Sequence, residues 1–286
     1  MLALALLCAA VDVHTLLADV TDLGHCMRGC TTLDKLHWWG KGIGDDGCEY
    51  LASQLARNAT RVGSTETPLQ NLLLGGNNVG DRCMKAIASL AATGKLRSLR
   101  ALGLSTNAIT DDGCVLIASA MERGHLPSLR DLYMSRNVAV SDACAEALGV
   151  GITGRSDCSS CIGSAELERL GLNNNSISDL GVTRFLGSIT KADAVLGLRE
   201  LSINDNPDIC RDHSKLLGAI SKATTSLKVA VDHANTRGGG SSPKAASPLK
   251  MTLHSSRCKR QDRRYAFAAE SRKSGGLALT VAEPKG

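Results

Sequence analysis

The sequence predicts an α/β protein that forms a right-handed solenoid, with a concave parallel sheet and convex helices. Two observations predict this fold. A segment of the form LxxLxLxxNxIxDxG recurs along the chain, and an apolar stretch of helical period follows its copies. Aromatic residues make up only 2% of the sequence, whereas hydrophobic residues make up 43%. Aliphatic side chains on a regular scaffold must therefore fill the core.

Six copies of the segment are legible, and they begin at Leu33, Leu69, Leu99, Leu129, Leu167 and Leu198. Successive copies start 30 to 38 residues apart, which is long enough for a strand and a full helix in each unit. Two copies depart from the pattern. The first has Lys41 where asparagine is expected, and the fourth has one inserted residue near Val138.

Each copy begins with a predicted strand and a turn. Alternating apolar residues, such as Leu102 and Leu104, predict a short strand with one face turned inward. The asparagine that follows, as at Asn107 and Asn175, can bond backbone groups where the chain leaves the strand. Because this asparagine recurs in register, stacked repeats are expected to join these side chains into an internal ladder.

A helix is predicted after the Asp-Gly step of the template, as in residues 114–122. We expect the aspartate, for example Asp111, to cap the N-terminus of its own helix. Successive strands must then lie parallel in one sheet with the helices outside. Because helices are wider than strands, the sheet is expected to be concave.

These repeats resemble those of the ribonuclease-inhibitor-like leucine-rich-repeat family, which also forms the repeat region of nucleotide-binding immune receptors. The resemblance covers residues 33–210 and includes Asp-Asp-Gly-Cys at 45–48 and 111–114. The family places a cysteine after this glycine, where it packs as a small hydrophobic residue. The resemblance implies a binding protein rather than an enzyme.

The domain boundaries follow from where the repeat pattern fades. We expect a repeat domain at 1–235, with a degenerate N-terminal cap repeat at 1–32, six recognisable repeats at 33–210 and a C-terminal cap at 211–235. The apolar stretch at 1–13 has two alternative explanations, a signal segment or a starting point inside a longer parent chain.

Residues 236–286 differ in composition from the rest of the chain. They hold eleven Lys and Arg against three Asp and Glu, whereas the whole chain has 33 against 28, so residues 1–235 carry a net charge of −3. The segment is rich in Gly, Ser and Pro and is predicted to be a disordered basic tail. Its basic run at 257–264 fits nuclear import, an anionic surface or a plain solvated tail. The acidic body argues against nucleic acid as the partner of the repeat domain.

The eleven cysteines indicate a reducing compartment. Their number is odd, and most stand singly in apolar stretches rather than in the paired spacing of a disulfide scaffold. We therefore expect a cytoplasmic protein, with nuclear location through the tail or secretion as alternatives. The sequence contains no apolar run of membrane-spanning length.

The sequence nominates no residue for catalysis, cofactor binding or metal binding. Cys158 and Cys161 resemble half of a zinc site, but a second pair at the usual spacing is missing. The seven histidines have no acid or nucleophile partner in register with the repeats. We therefore expect no cofactor and no small-molecule substrate.

The residues expected to meet a partner project from the concave face of the sheet. These candidates are His37, Trp39, Leu73, Tyr133, Arg136, Asn173, Asn204 and Asp205. Trp39 and Tyr133 are two of only seven aromatic residues, and aromatic side chains commonly anchor protein partners. In the alternative, Trp39 packs against the N-terminal cap. Trp38 is expected in the core.

The sequence thus predicts a monomeric, non-catalytic module that binds a protein partner on its concave face. One alternative is a regulator of a small GTPase, since leucine-rich-repeat activators of these enzymes have similar repeats. Those proteins usually carry an acidic tail, whereas this tail is basic. The other alternative is the detached sensor region of an immune-type receptor.

Overall fold

The computed structural model describes residues 34–61, 69–154, 163, 166–191, 197–209, 218–219, 250–252 and 279–280. Within these residues, strands and helices alternate as the repeat predicts. Their order is β1 (Lys35–His37), α1 (Gly44–Arg61), β2 (Asn71–Leu73), α2 (Asp81–Ala92), β3 (Ala101–Gly103), α3 (Asp111–Glu122), β4 (Asp131–Tyr133), α4 (Asp142–Thr153), β5 (Arg169–Gly171), α5 (Asp179–Lys191), β6 (Glu200–Ser202), β7 (Lys250–Thr252) and β8 (Leu279–Thr280).

The strands of the described residues form one sheet, in which each strand pairs in parallel with its neighbours in sequence. The register of β1 to β6 aligns their second residues in one row, made up of Leu36, Leu72, Leu102, Leu132, Leu170 and Leu201. All six leucines are buried, because alternate strand residues face opposite sides of the sheet. The predicted α/β fold with a parallel sheet is confirmed, whereas its handedness stays a prediction.

The core lies between the sheet and the helices and consists of stacked rows of aliphatic side chains. A second buried row, two residues after the strand leucines, holds Trp38, Leu74, Leu104, Met134, Leu172 and Ile203. Trp38 is 2% exposed, so its predicted place in the core is confirmed. Gly149 and Gly151 allow α4 to approach its neighbours closely, because a Cβ at either position would lie within 2.9 Å of an adjacent helix.

The predicted asparagine ladder is present. The side-chain amide of Asn107 donates to the carbonyl oxygen of Leu74 at 3.0 Å and to that of Leu104 at 2.9 Å. Its Oδ1 accepts a hydrogen bond from the backbone N–H of Asn77 at 2.9 Å. The same pattern of amide-to-carbonyl bonds recurs at Asn77, Asn137, Asn175 and Asn206. These side chains therefore connect neighbouring repeats through their buried backbone.

The two irregular repeats fit the ladder in different ways. The side chain of Lys41 is exposed, and its backbone N–H donates to Oδ1 of Asn77 at 2.7 Å. The backbone N–H of Asn77 makes the same bond to Oδ1 of Asn107, so the first repeat keeps the main-chain bond of the ladder and lacks the side-chain amide. In the fourth repeat, Asn137 keeps its ladder bonds while Val138 is 78% exposed. The inserted residue therefore bulges outward and leaves the ladder in register.

The template aspartates bond the N-terminus of the helix in the next repeat. The expectation that Asp111 caps its own helix is therefore wrong. Asp111 is the first residue of α3, and Thr110 is the N-cap of that helix. Oδ1 of Asp111 accepts a hydrogen bond from the backbone N–H of Ser141 at 2.7 Å and from that of Cys144 at 3.3 Å. These two groups belong to the N-terminus of α4. Each carboxylate of this kind therefore caps the helix of the following repeat.

Four cysteines are paired, which corrects the expectation that they stand singly. Cys48 is bonded to Cys83, and Cys114 is bonded to Cys144, with Cα–Cα distances of 5.3 and 5.5 Å. In both pairs the partners lie one repeat apart, 35 and 30 residues along the chain. Stacked helices bring such residues together, whereas the spacing of the cysteines in the sequence does not reveal this contact. The predicted cytoplasmic location loses support from these four cysteines and stays a prediction.

β7 and β8 lie in the segment whose composition predicts disorder. In β7, Lys250 is opposite Glu200 and Met251 is opposite Leu201, and β8 pairs with β7 in turn. These strands extend the sheet, because the alternation around Met251 has the period of a strand. The other residues of 236–286 lie outside the described residues, so disorder there stays a prediction. The N-terminal cap repeat at 1–32 also lies outside them.

Candidate functional site: the concave face

The concave face is the side of the sheet that points away from the helices. Its central row holds the third residue of each strand from β1 to β6: His37, Leu73, Gly103, Tyr133, Gly171 and Ser202. Two residues further along lies a second row, made up of Trp39, Gly75, Ser105, Ser135, Asn173 and Asn204. Hydrogen bonds connect this second row, since the backbone N–H of Asn204 donates to Oδ1 of Asn173 at 2.7 Å. The structure thus brings six of the predicted site residues together in two adjacent rows.

Large side chains on this face lie over glycines of the following repeat. A Cβ at Gly75 would be 2.0 Å from Cζ3 of Trp39, so the indole occupies the space that a side chain there would need. Leu73 lies over Gly103 in the same way, where the corresponding distance to Cδ2 is 2.7 Å. Glycine at these positions therefore allows large side chains to lie flat against the sheet.

Trp39 presents most of its surface to solvent although it contacts the backbone of the next repeat. Its exposed fraction is 61%, and one edge of the indole lies beside Gly76, where a Cβ would be 3.3 Å from Nε1. The N-terminal cap, against which Trp39 packs in the alternative interpretation, lies outside the described residues. Large apolar groups held at the surface in a fixed pose are the usual anchors of protein interfaces.

Tyr133 stands beside the ion pair of Arg169 and Asp131. The guanidinium of Arg169 makes two bonds to the carboxylate of Asp131, with Nη2 to Oδ2 at 2.7 Å. This hydrogen bonding raises the pKa of Arg169. Burial, followed by the charge of Asp131, raises the pKa of the Tyr133 phenol, so the hydroxyl stays protonated at neutral pH. Tyr133 can therefore offer a partner both an apolar ring and a hydrogen-bond donor.

The sequence-based site missed a third row on this face. It is formed by the first strand residues, namely Lys35, Asn71, Ala101, Asp131, Arg169 and Glu200. Because strand side chains alternate, a residue two positions before His37 or Tyr133 must share its face. The two-residue alternation of side chains along a strand could therefore have identified this row from the sequence.

Arg136 and Asp205 occupy the turn that follows the strands rather than the rows themselves. Both have φ of 59°, and the equivalent residues Gly40, Gly76 and Thr106 also have positive φ. The left-handed conformation is therefore a property of the repeat and not a special feature of one site. It places Arg136 and Asp205, both exposed, along the rim of the concave face.

Charged residues just before the strands form the opposite rim. Arg130 lies 3.5 Å from Glu168 and 3.9 Å from Glu166, and Arg199 lies 4.0 Å from Glu168. These pairs are largely exposed, so each adds only about 0.2 to 1 kcal/mol to stability. Because the arginines and glutamates neutralise one another, this part of the rim presents little net charge to a partner.

The part of the chain that the structure describes has no metal-binding cluster and no membrane-spanning helix. There, the His, Cys, Asp and Glu side chains form no group of three that could hold a metal ion. The described helices are all too short or too polar to cross a bilayer. Cys158 and Cys161, which resemble half of a zinc site, lie outside the described residues.

The comparison with known proteins agrees with the repeat architecture. A family model described as Leucine Rich repeat matches residues 95–118, which include β3 and the first part of α3. No curated protein matches the chain. The ribonuclease-inhibitor-like subtype stays a prediction. The matched repeat, the alternating strands and helices and the parallel sheet fit a leucine-rich-repeat protein.

Proposed function

We propose that this protein is a monomeric, non-catalytic module that binds a protein partner on its concave face. Leucine-rich repeats serve in general as protein-interaction modules. The observation that carries the proposal is the pose of Trp39, whose indole lies over Gly75 and is 61% exposed. An aromatic ring that is already ordered loses little conformational freedom when a partner covers it.

The surroundings of Trp39 also favour a protein partner. Leu73 and Tyr133 add apolar surface on the same face, and Asn173 and Asn204 add amides that can bond a peptide backbone. Small residues such as Gly103 and Ser105 lie between the two aromatic side chains. The proposed site thus combines apolar anchors with polar groups around an open centre.

We expect the Trp39→Ala variant to bind its partner about 30-fold more weakly, as the loss of an aromatic hot spot typically does. Because the ring is mostly exposed, the melting temperature should change little. The measurement is affinity capture with quantitative mass spectrometry, followed by the dissociation constant for the captured protein. Tyr133→Ala should weaken the same partner.

Leu180→Ala is the matched control, because Leu180 is a large apolar residue, 52% exposed, on α5 rather than on the concave face. It should leave the dissociation constant unchanged. Equal weakening by Leu180→Ala and Trp39→Ala would contradict a concave-face site. Loss of folding in Trp39→Ala would also contradict the assigned role, because it would make Trp39 a structural residue.

A further inference from the structure

The free charges of the concave face are distributed unevenly. Between β1 and β4, four exposed cations form no ion pair within the described part of the chain: Lys35, Lys41, Arg100 and Arg136. Among the described carboxylates there, Asp131 is neutralised by Arg169 and only Asp34 is left on the rim. The described residues of this half of the face therefore carry a net positive charge, although residues 1–235 as a whole carry −3.

The charges at the other end of the face lie beside opposite charges. Arg169 is paired with Asp131, and Arg130 and Arg199 both lie beside Glu168. Glu200, the first residue of β6, is opposite Lys250 of β7 in the sheet. The positive half thus contains Trp39, whereas the cations of the far end have carboxylates beside them.

We propose that the partner contributes an acidic, extended segment of polypeptide that lies across β1 to β4. This inference rests on the proposed concave-face function and names the chemistry of its partner. Apolar side chains of the segment cover Trp39 and Leu73, and its carboxylates face Lys35, Lys41, Arg100 and Arg136. Charge complementarity of this kind steers association and excludes partners of like charge.

The spacing of the cations suits a polypeptide. Neighbouring strands lie about 4.8 Å apart, so Arg100 lies two strands from Lys35 at one side of the face, which is about 10 Å. On the opposite rim, Lys41 and Arg136 lie three strands apart, which is about 14 Å. An extended chain covers these distances in about three or four residues, so carboxylates at such intervals meet the cations. The basic segment 236–286 of this chain, with a net charge of +8, would be repelled from the same surface.

Single-stranded nucleic acid is a poorer match. It carries a phosphate on every nucleotide, whereas these cations are widely spaced. Among the described residues of the face, only His37, Trp39 and Tyr133 offer rings on which bases could stack. RNA is therefore a competing outcome that the experiment must exclude.

The test is a selection from a random library of 12-residue peptides on the full chain at 0.15 M salt. We expect the selected peptides to carry several Asp or Glu residues and at least one large apolar residue. For the tightest of them, the Lys35→Glu/Arg100→Glu variant should bind about tenfold more weakly, because two attractions become repulsions. The matched control is Lys85→Glu/Arg123→Glu, which reverses two exposed cations on or next to the helices, and it should bind within about twofold of the original chain.

Three results would overturn the inference, and they separate it from the proposed function. Neutral or basic selected peptides that lose binding in Trp39→Ala would refute the acidic segment but keep the concave-face site. Peptides that bind Trp39→Ala and the original chain equally would refute both. A 12-nucleotide oligouridylate that binds more tightly than any selected peptide, and is lost in Lys35→Glu/Arg100→Glu, would show that the cations serve RNA; we expect no binding of this oligonucleotide.

Discussion

Replacement of Asn137 by alanine is expected to lower the free energy of unfolding by about 3 kcal/mol. The side chain is fully buried, and its amide donates to the carbonyl oxygens of Leu104 at 3.1 Å and Met134 at 3.0 Å. Its Oδ1 accepts a hydrogen bond from the backbone N–H of Ile109 at 3.2 Å. The substitution removes these bonds and leaves that N–H buried without its acceptor. Urea denaturation monitored by circular dichroism measures the change.

The structure limits the size of this effect. The carbonyl of Leu104 also accepts a bond from Asn107, and that of Met134 also accepts one from Asn175, so neither becomes fully unsatisfied. Asn71→Ala is the control, because Asn71 lies on the concave face outside the ladder and should change stability by less than about 0.5 kcal/mol. Equal stability of the two variants would mean that the ladder does not hold the repeats together.

Replacement of Asp111 by alanine is expected to lower the free energy of unfolding by about 2 kcal/mol. The variant loses the hydrogen bonds that the backbone N–H groups of Ser141 and Cys144 and the Ser141 hydroxyl donate to the Asp111 carboxylate. The N-terminus of α4 would then lack the carboxylate that satisfies it. Asp111→Asn should lose less, because the amide oxygen can still accept from Ser141. The same denaturation experiment compares these variants.

Asp112 provides an internal control for Asp111. It is the next residue of the same helix, carries the same charge and is exposed. Asp112→Ala should cost only about 0.5 kcal/mol, which is the typical effect of one exposed charge on the helix dipole. A loss as large as that of Asp111→Ala would attribute the stabilisation to helix charge rather than to contact between repeats.

The sequence allowed the scaffold to be predicted where the same residue type recurs at the same position of each repeat. Leucines such as Leu102 and Leu132 alternate with residues that face the other side of the sheet, and this period of two identifies the buried row of a strand. Asn107 and Asn175 recur at one register, and only a stacked structure gives such recurrence a purpose. Strands, helices and ladder could therefore be placed from the pattern alone.

Features that depend on contact between repeats could not be read in this way. The helix that Asp111 caps begins about 30 residues later, and Cys114 meets a cysteine at the same separation. Local capping rules and cysteine spacing both consider only residues that are close in sequence. They therefore predicted that the aspartate caps its own helix and that the cysteines are unpaired. The stacking of helices decides both cases.

The candidate site was predicted in part. Six of its residues lie in two adjacent rows of the concave face, but the row that contains Lys35 and Asp131 was missed. The overlap of Trp39 with Gly75 could not be foreseen, because it depends on how a side chain leans toward the next repeat. The pairing of Arg169 with Asp131 likewise depends on the register between β4 and β5.

The central claim, that a partner covers the concave face at Trp39, can be tested by acrylamide quenching of tryptophan fluorescence. The chain has two tryptophans, of which Trp38 is 2% exposed and Trp39 is 61% exposed. In the free protein, acrylamide should therefore quench one emission component readily and the other weakly. A saturating amount of the tightest selected peptide should protect the readily quenched component. If that component stays equally accessible when the peptide is bound, the partner does not bind at Trp39 and the account is wrong.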